Sequence, residues 1–215
     1  MALNQPNGYL AQPAFGAGDP VLVLHAWWGL NDTIRALCDR LAAEGFVALA
    51  PDLYHGQVAD TIPGAEALAQ TLNYEQAKAQ VAAAADYLID HAGPSPRGLA
   101  VIGFSLGASY ALDFVAGAPD ELRSVVLFYG TGDTDVGRSN AAFLGHFAAN
   151  DPYESPEYVD GMEKYIQSVG RPVTFHTYPG TGHWFFEPDR PDAYNPAAAE
   201  LAWERTLAFL RRDDR

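Results

Sequence analysis

The chain has 215 residues, 48% of them hydrophobic and 19% charged, which is enough apolar content for one sizeable core. Its 27 acidic against 13 basic side chains leave a formal net charge of -14, so long-range repulsion argues against a nucleic-acid partner. Cys38 is the single cysteine, which excludes an internal disulfide and any zinc site built on several thiolates. No basic start precedes an apolar stretch, and no apolar run approaches the roughly 20 residues a bilayer crossing needs. A cytoplasmic chain without membrane contact, monomeric or a small homo-oligomer, is expected. No composition shift marks a linker, so a single domain over residues 1–215 is expected as well.

In chain order, "GYLAQPAF" from Gly8 reads as an extra edge strand, and "PVLVLHA" from Pro20 is the first of six core strands. Asn31 caps a predicted helix that stops at Gly45, with Ile34, Leu37, Cys38 and Leu41 on one face, so Cys38 is read as core packing. "FVALAP" from Phe46 is the next strand. Asn73 with Gln76 resembles a capping box ahead of Ala77, Val81, Ala84 and Leu88. "GLAVIGF" from Gly98 precedes a helix starting at Ser105, and "SVVLFYG" from Ser124 and "AAFLGHFA" from Ala141 are strands. A helix over 156–169, the strand "PVTFHTY" from Pro172, and a last helix opened by Asn195 and Pro196 complete the order. That last helix carries Trp203, Leu207 and Leu210.

Most of the core strands are apolar at nearly every position, which is expected when both faces of a parallel sheet are covered by helices. Strand and helix alternate as in doubly wound α/β proteins, whose ligands bind beyond the carboxyl ends of the strands. Four segments stand at such ends: "HAWWGLND", Ser105, "AANDPYE" and "PGTGHWFF".

Ser105 lies in a G-x-S-x-G run between a strand and a helix, the context of a nucleophile elbow, although a serine there could equally cap the helix. A serine alcohol is a weak nucleophile, so a base must take its proton and an acid must orient that base. His183, in a glycine-rich loop after the last strand, is the best placed of six histidines. His176 and His91 read as structural or solvent-facing, and His25 and His55 as site-lining at most. Asp151 follows the fifth core strand, and the order Ser105, Asp151, His183 is that of nucleophile, acid and base in α/β hydrolases. Asp133 and Asp135 compete as the acid, but "GTGDTD" also reads as a polar turn.

Taken together, "HAWWGLNDTIRALCDRLAAEGFVALAPDLYHG", "VIGFSLGA", "FAANDPYE" and "YPGTGHWFF" resemble the dienelactone hydrolase family over nearly the whole chain. The resemblance implies an α/β-hydrolase fold, a mostly parallel central sheet with helices on both faces. It also implies a hydrolase acting on a small carboxylic ester or lactone. The family's nucleophile is usually a cysteine, where this chain has Ser105. Its acid and base match Asp151 and His183, and its oxyanion donors match the backbone N–H groups of Trp27 and Leu106. Family members with cysteine often carry a glutamate near the resting thiol, at the position of Ala26 here, and serine has no thiolate to manage. The family also holds a substrate carboxylate with arginines. No arginine lies between Arg40 and Arg97 here, and Glu187 stands four residues after the histidine, so a different substrate is implied.

Trp28, Tyr54, Trp184, Phe185 and Phe186 lie in or beside the same loops and are expected to wall the substrate pocket together with Trp27. A thioesterase, a peptidase or a non-catalytic ligand-binding protein remain alternatives on these residues. Neither "GAGDP" nor "GTGDTD" completes a dinucleotide fingerprint, and no H-E-x-x-H, EF-hand or Walker sequence occurs. No cofactor or metal is expected.

Overall fold

The computed structural model describes residues 4–14, 16–95, 97–117 and 120–212. Its elements in chain order are β1 (Gly8–Ala11), β2 (Asp19–Leu24), α1 (Asp32–Ala43), β3 (Phe46–Pro51), α2 (Ile62–Thr71), α3 (Tyr74–Ala92), β4 (Leu99–Phe104), α4 (Leu106–Ala116), β5 (Leu122–Phe128), β6 (Ala142–Asn150), α5 (Pro156–Ser168), β7 (Val173–Gly182) and α6 (Pro196–Leu210). The strands form one sheet in the order β1-β3-β2-β4-β5-β6-β7. Every neighbouring pair is parallel except β1 with β3.

The expected run of apolar strands has its physical cause in two cores, one on each side of the sheet. Along β2, Val21 and Val23 join a cluster with Ile34, Cys38 and Leu41 of α1 and Ala202 and Trp203 of α6. The alternate residues Leu22 and Leu24 join the opposite cluster, with Val81 and Leu88 of α3, Ala111 of α4 and Ile166 of α5. A period of two along the strand thus feeds both layers. Cys38 is fully buried in the first cluster, and burial pushes its thiol up to about 12.

The predicted caps form. Asn31 accepts from the Ile34 N–H, Asn73 from that of Gln76 and Asn195 from that of Ala198, and Ser155, not singled out in the sequence, accepts from that of Tyr158. Each satisfies one of the donors that a helix start leaves without an intrahelical partner. Three elements differ from expectation. Strand β7 runs on through the Pro-Gly-Thr-Gly segment to Gly182, where a glycine-rich loop is expected after Tyr178, so His183 directly follows the strand. The edge strand stops at Ala11, ahead of Pro13, which has no N–H to give a ladder; Phe15 lies outside the described residues. Helix α2 is not among the expected elements, and only Ala65 of its residues is buried, so it carries no apolar period. Pro63 falls in the first turn, where its missing N–H costs nothing, and Thr61 caps Gly64.

Beyond β2 the chain turns outward to β3, whereas β4 lies on the other side of β2 and leads away to β5. The connections diverge between β2 and β4, and a crevice forms at their carboxyl ends. Trp27 follows one of these strands and Ser105 the other.

Candidate active site

Ser105 connects β4 to α4 with φ 50° and ψ -112°, and its side chain makes no capping bond to the helix. Of the two readings the motif allows, the cap is therefore not the one adopted. The Ser105 N–H donates to the Phe128 carbonyl at 2.9 Å, and the Ala108 N–H donates to the Ser105 carbonyl at 2.8 Å. Flanking glycines make the turn possible. A Cβ on Gly107 would collide with the Leu24 carbonyl and lie 2.6 Å from that of His25, while one on Gly103 would lie 2.5 Å from the Gly107 carbonyl. The elbow is a backbone-on-backbone contact that tolerates no side chain at either position.

Register places the expected acid and base side by side. Asn150, the last residue of β6, pairs with Gly182, the last of β7, so the next residues, Asp151 and His183, leave adjacent strand ends together. His183 Nδ1 lies 2.7 and 2.9 Å from the two Asp151 carboxylate oxygens, and its Nε2 lies 2.9 Å from Ser105 Oγ. Both side chains are nearly inaccessible, with relative exposures of 3% for His183 and 2% for Asp151. Asp151 Oδ1 also accepts from the N–H groups of Tyr153 and Glu154. With Nδ1–H donating to this carboxylate, Nε2 is left to accept the serine proton.

Two of the other histidines, His25 and His146, are buried within the fold. His25 is buried, donates from Nδ1 to the Ala26 carbonyl and accepts the Leu53 N–H at Nε2, and burial lowers its pKa. His146, inside β6, contacts the Tyr178 hydroxyl and Thr206 Oγ1, joining β6 to β7 and α6, and burial holds its pKa well below the usual range. His91 contacts Gln12 and Tyr87, and His55 is exposed beside Gln80. His176 lies in β7. Asp135 closes a turn with the Gly137 N–H and accepts from Tyr165, while Asp133 is exposed beside a separate cavity with Tyr158. Neither approaches the imidazole.

Trp27 and Leu106 both stand at the crevice, and Leu106 is the first residue of α4, where a backbone N–H has no intrahelical acceptor. The Trp27 and Trp184 rings stack at 5.9 Å, and Trp28 meets Trp184 edge-on at 5.1 Å. A cavity of about 640 Å³ opens beside them, lined by Trp28, Trp184, His183, Tyr153 and Arg190 among others. The expected aromatic wall is thus only partly formed. Tyr54 is 2% exposed and packs on His25, Phe185 is fully buried against Tyr129 and Tyr178, and Phe186 packs on Phe104 and Phe128. The cause is the turn after His183: Trp184 takes φ 66°, the Glu187 N–H closes on the Trp184 carbonyl, and the two phenylalanines fold into the sheet.

Sequence reasoning did not single out Tyr153 or Tyr129, whose rings lie 4.8 and 4.9 Å from the His183 ring. Both stand at strand ends on the same edge as Ser105, Asp151 and His183, where a tyrosine has no local pattern that separates it from packing. Arg190 stacks on Trp28 at 3.8 Å, pairs with Asp189 and donates to the Asp60 carbonyl.

A profile of the dienelactone hydrolase family matches residues 7–213. The chain belongs to the dienelactone hydrolase family. Protein usf of Aquifex pyrophilus is 34% identical over 95% of this chain and 92% of its own length. A protein of Aquifex aeolicus provisionally named carboxymethylenebutenolidase is 33% identical over 95% and 92%. A Klebsiella pneumoniae crystal structure provisionally assigned as a dienelactone hydrolase superposes with a TM-score of 0.82 at 27% identity, covering 95% of this chain and 92% of that one. The dienelactone hydrolase family is one of α/β hydrolases, and the seven-stranded sheet with helices on both faces is its architecture here. Among the described residues, no helix is long and apolar enough to cross a membrane.

Proposed function

We propose that this family member is a serine hydrolase that cleaves a small, uncharged carboxylic ester or lactone through an acyl-enzyme. The observation that carries the reading is the unbroken hydrogen-bonded series from Ser105 Oγ through the His183 imidazole to the Asp151 carboxylate. His183 Nε2 takes the serine proton as Oγ attacks the ester carbon, and the C–O bond to the leaving alcohol breaks as that proton is returned to it. Water, deprotonated by the same nitrogen, then attacks the acyl carbon and frees Ser105. Asp151 holds the tautomer and balances the charge of the imidazolium. The N–H groups of Trp27 and Leu106 receive the oxyanion, at about 3 kcal/mol per donor in comparable sites.

Ester chemistry is favoured by the name of the Aquifex aeolicus relative, a butenolide being a cyclic ester; the carboxymethylene group in that name is the relative's and is not carried over to this chain. An uncharged substrate is favoured by the setting of Arg190, already engaged by Asp189, the Asp60 carbonyl and the Trp28 ring. Asp60 and Asp192 also border the cavity. These surroundings disfavour a carboxylate in the bound molecule.

Intact mass after treatment with a fluorophosphonate tests the nucleophile. Wild type gains one adduct, Ser105→Ala gains none, and the variant loses at least about a thousandfold in p-nitrophenyl acetate turnover. An adduct on the variant, or undiminished turnover, removes Ser105 from the mechanism.

A further inference from the structure

Behind the imidazole lies a second buried acid that the ester chemistry does not use. Glu187 is 1% exposed, and its Oε1 accepts the Tyr129 O–H at 2.7 Å. Its Oε2 is buried and has no hydrogen-bond partner among the described residues. Tyr129 is fully buried and follows β5 directly, as Ser105 follows β4; Phe104 and Phe128 pair across those two strands. Tyr129 takes φ 38°, its N–H donates to the His146 carbonyl, and its ring lies against His183 on one side and Phe185 on another. A tyrosine held in a left-handed conformation is strained and persists only where its surroundings fix it. The Glu187 carboxyl is the group that fixes its hydroxyl.

We propose that Glu187 is a positioning residue for His183 and acts in its neutral, protonated form, anchoring Tyr129 against the imidazole without placing a second anion beside Asp151. The inference rests on the reading of His183 as the general base. The charged and titratable groups around the pair are Tyr129 at the end of β5, Asp151 at the end of β6, and His183, Asp189 and Arg190 on the loop after β7. Burial pushes the Glu187 carboxyl up to about 8; the Tyr129 hydrogen bond and Arg190 oppose the rise, while Asp189 adds to it. Arg190 does not discharge Glu187 by direct pairing, since its guanidinium bonds Asp189 and the Asp60 carbonyl.

The proton balance follows. Below that value the carboxyl keeps its proton, and Oε1 accepts from tyrosine as a neutral carbonyl would. As pH rises through it, the proton passes to solvent and leaves a buried carboxylate with one unbonded oxygen, which is costly enough to draw the side chain towards water. Tyr129 then loses its anchor and His183 its support, so turnover falls on the alkaline side, where an ordinary serine–histidine pair holds its rate.

The test is the pH profile of kcat and KM on p-nitrophenyl acetate for wild type, Glu187→Gln and Glu187→Ala. Difference infrared spectra of wild type and Glu187→Gln accompany it, taken at about pH 6 and about pH 9.5, either side of the Glu187 value. In wild type, kcat falls at least about fivefold between neutral pH and about pH 9.5 with KM little moved, a modest share of what a 1 Å misplacement costs a catalytic group. Glu187→Gln keeps most of the neutral rate and loses the alkaline fall, because glutamine accepts the same hydrogen bond and cannot ionise. Glu187→Ala is slow at every pH. An alkaline fall that persists in Glu187→Gln, or a glutamine no better than alanine, overturns the proposal. If wild type forms no fluorophosphonate adduct, the reading of Ser105 has failed instead. The infrared comparison then decides by itself: a protonated-carboxyl band at about pH 6 that Glu187→Gln lacks upholds the neutral acid, and its absence from wild type overturns it.

Discussion

At Ser105 a non-glycine residue holds φ 50°, a backbone state that costs about 1–3 kcal/mol. Glycine adopts that turn without the Cβ penalty, so stability alone does not account for the serine, and the proposed nucleophilic role does. Ser105→Gly should therefore be more stable than Ser105→Ala by about 1 kcal/mol, although both lack the nucleophile. Equal melting temperatures would show that the surrounding sheet absorbs the strain. His183 belongs to the same scale: its two ring nitrogens face different partners at 2.7 and 2.9 Å, an asymmetry that suits the proposed base. Glu187 behind it contrasts with Asp151. Two N–H donors and the imidazole satisfy the Asp151 carboxylate, whereas a single hydroxyl serves Glu187.

Elements place these residues through close backbone contact. Helix α4 starts so near the end of β2 that a Cβ at Gly107 would strike the Leu24 carbonyl. Gly107→Ala should cost at least about 2 kcal/mol in urea unfolding, because neither a strand carbonyl nor a helix start can yield as a side chain does. It should also slow fluorophosphonate labelling of Ser105. Wild-type stability and labelling in that variant would contradict the contact. The sequence made this elbow legible, since glycines at 103 and 107 around one serine after an apolar run require a tight turn. It also showed six core strands and five helices through capping residues and apolar periodicity. Helix α2 escaped because one buried alanine produces no periodic signal, and the inward fold of Phe185 and Phe186 escaped because a short aromatic run looks the same whether it lines a cleft or fills a core.

Across the whole molecule the net charge of -14 sets the long-range field around the crevice. Esters of matched size should then differ in salt response. The kcat/KM of one bearing a carboxylate should rise as salt is added, that of one bearing an ammonium should fall, and that of a neutral ester should stay level, since screening shortens the field to about 10 Å at 0.1 M. Identical responses for all three would mean that the local surroundings of Arg190, rather than the global charge, govern approach.

Ser105, Asp151 and His183 stand out in the chain alone because each lies where an apolar strand gives way to a polar or glycine-rich loop, in the order of nucleophile, acid and base in α/β hydrolases. The fold brings their side chains into one hydrogen-bonded series. Local periodicity and turn chemistry are properties of neighbouring residues, so they are readable without coordinates. Which side chains meet is not such a property. The pairing of Asn150 with Gly182 sets Asp151 beside His183, and the pairing of Phe104 with Phe128 sets Tyr129 beside Ser105. Glu187 acquires a partner and a raised pKa only because the loop after β7 folds it against Tyr129 and away from water. Strand register and burial arise from contacts between residues 24 to 78 positions apart, and no local pattern encodes them.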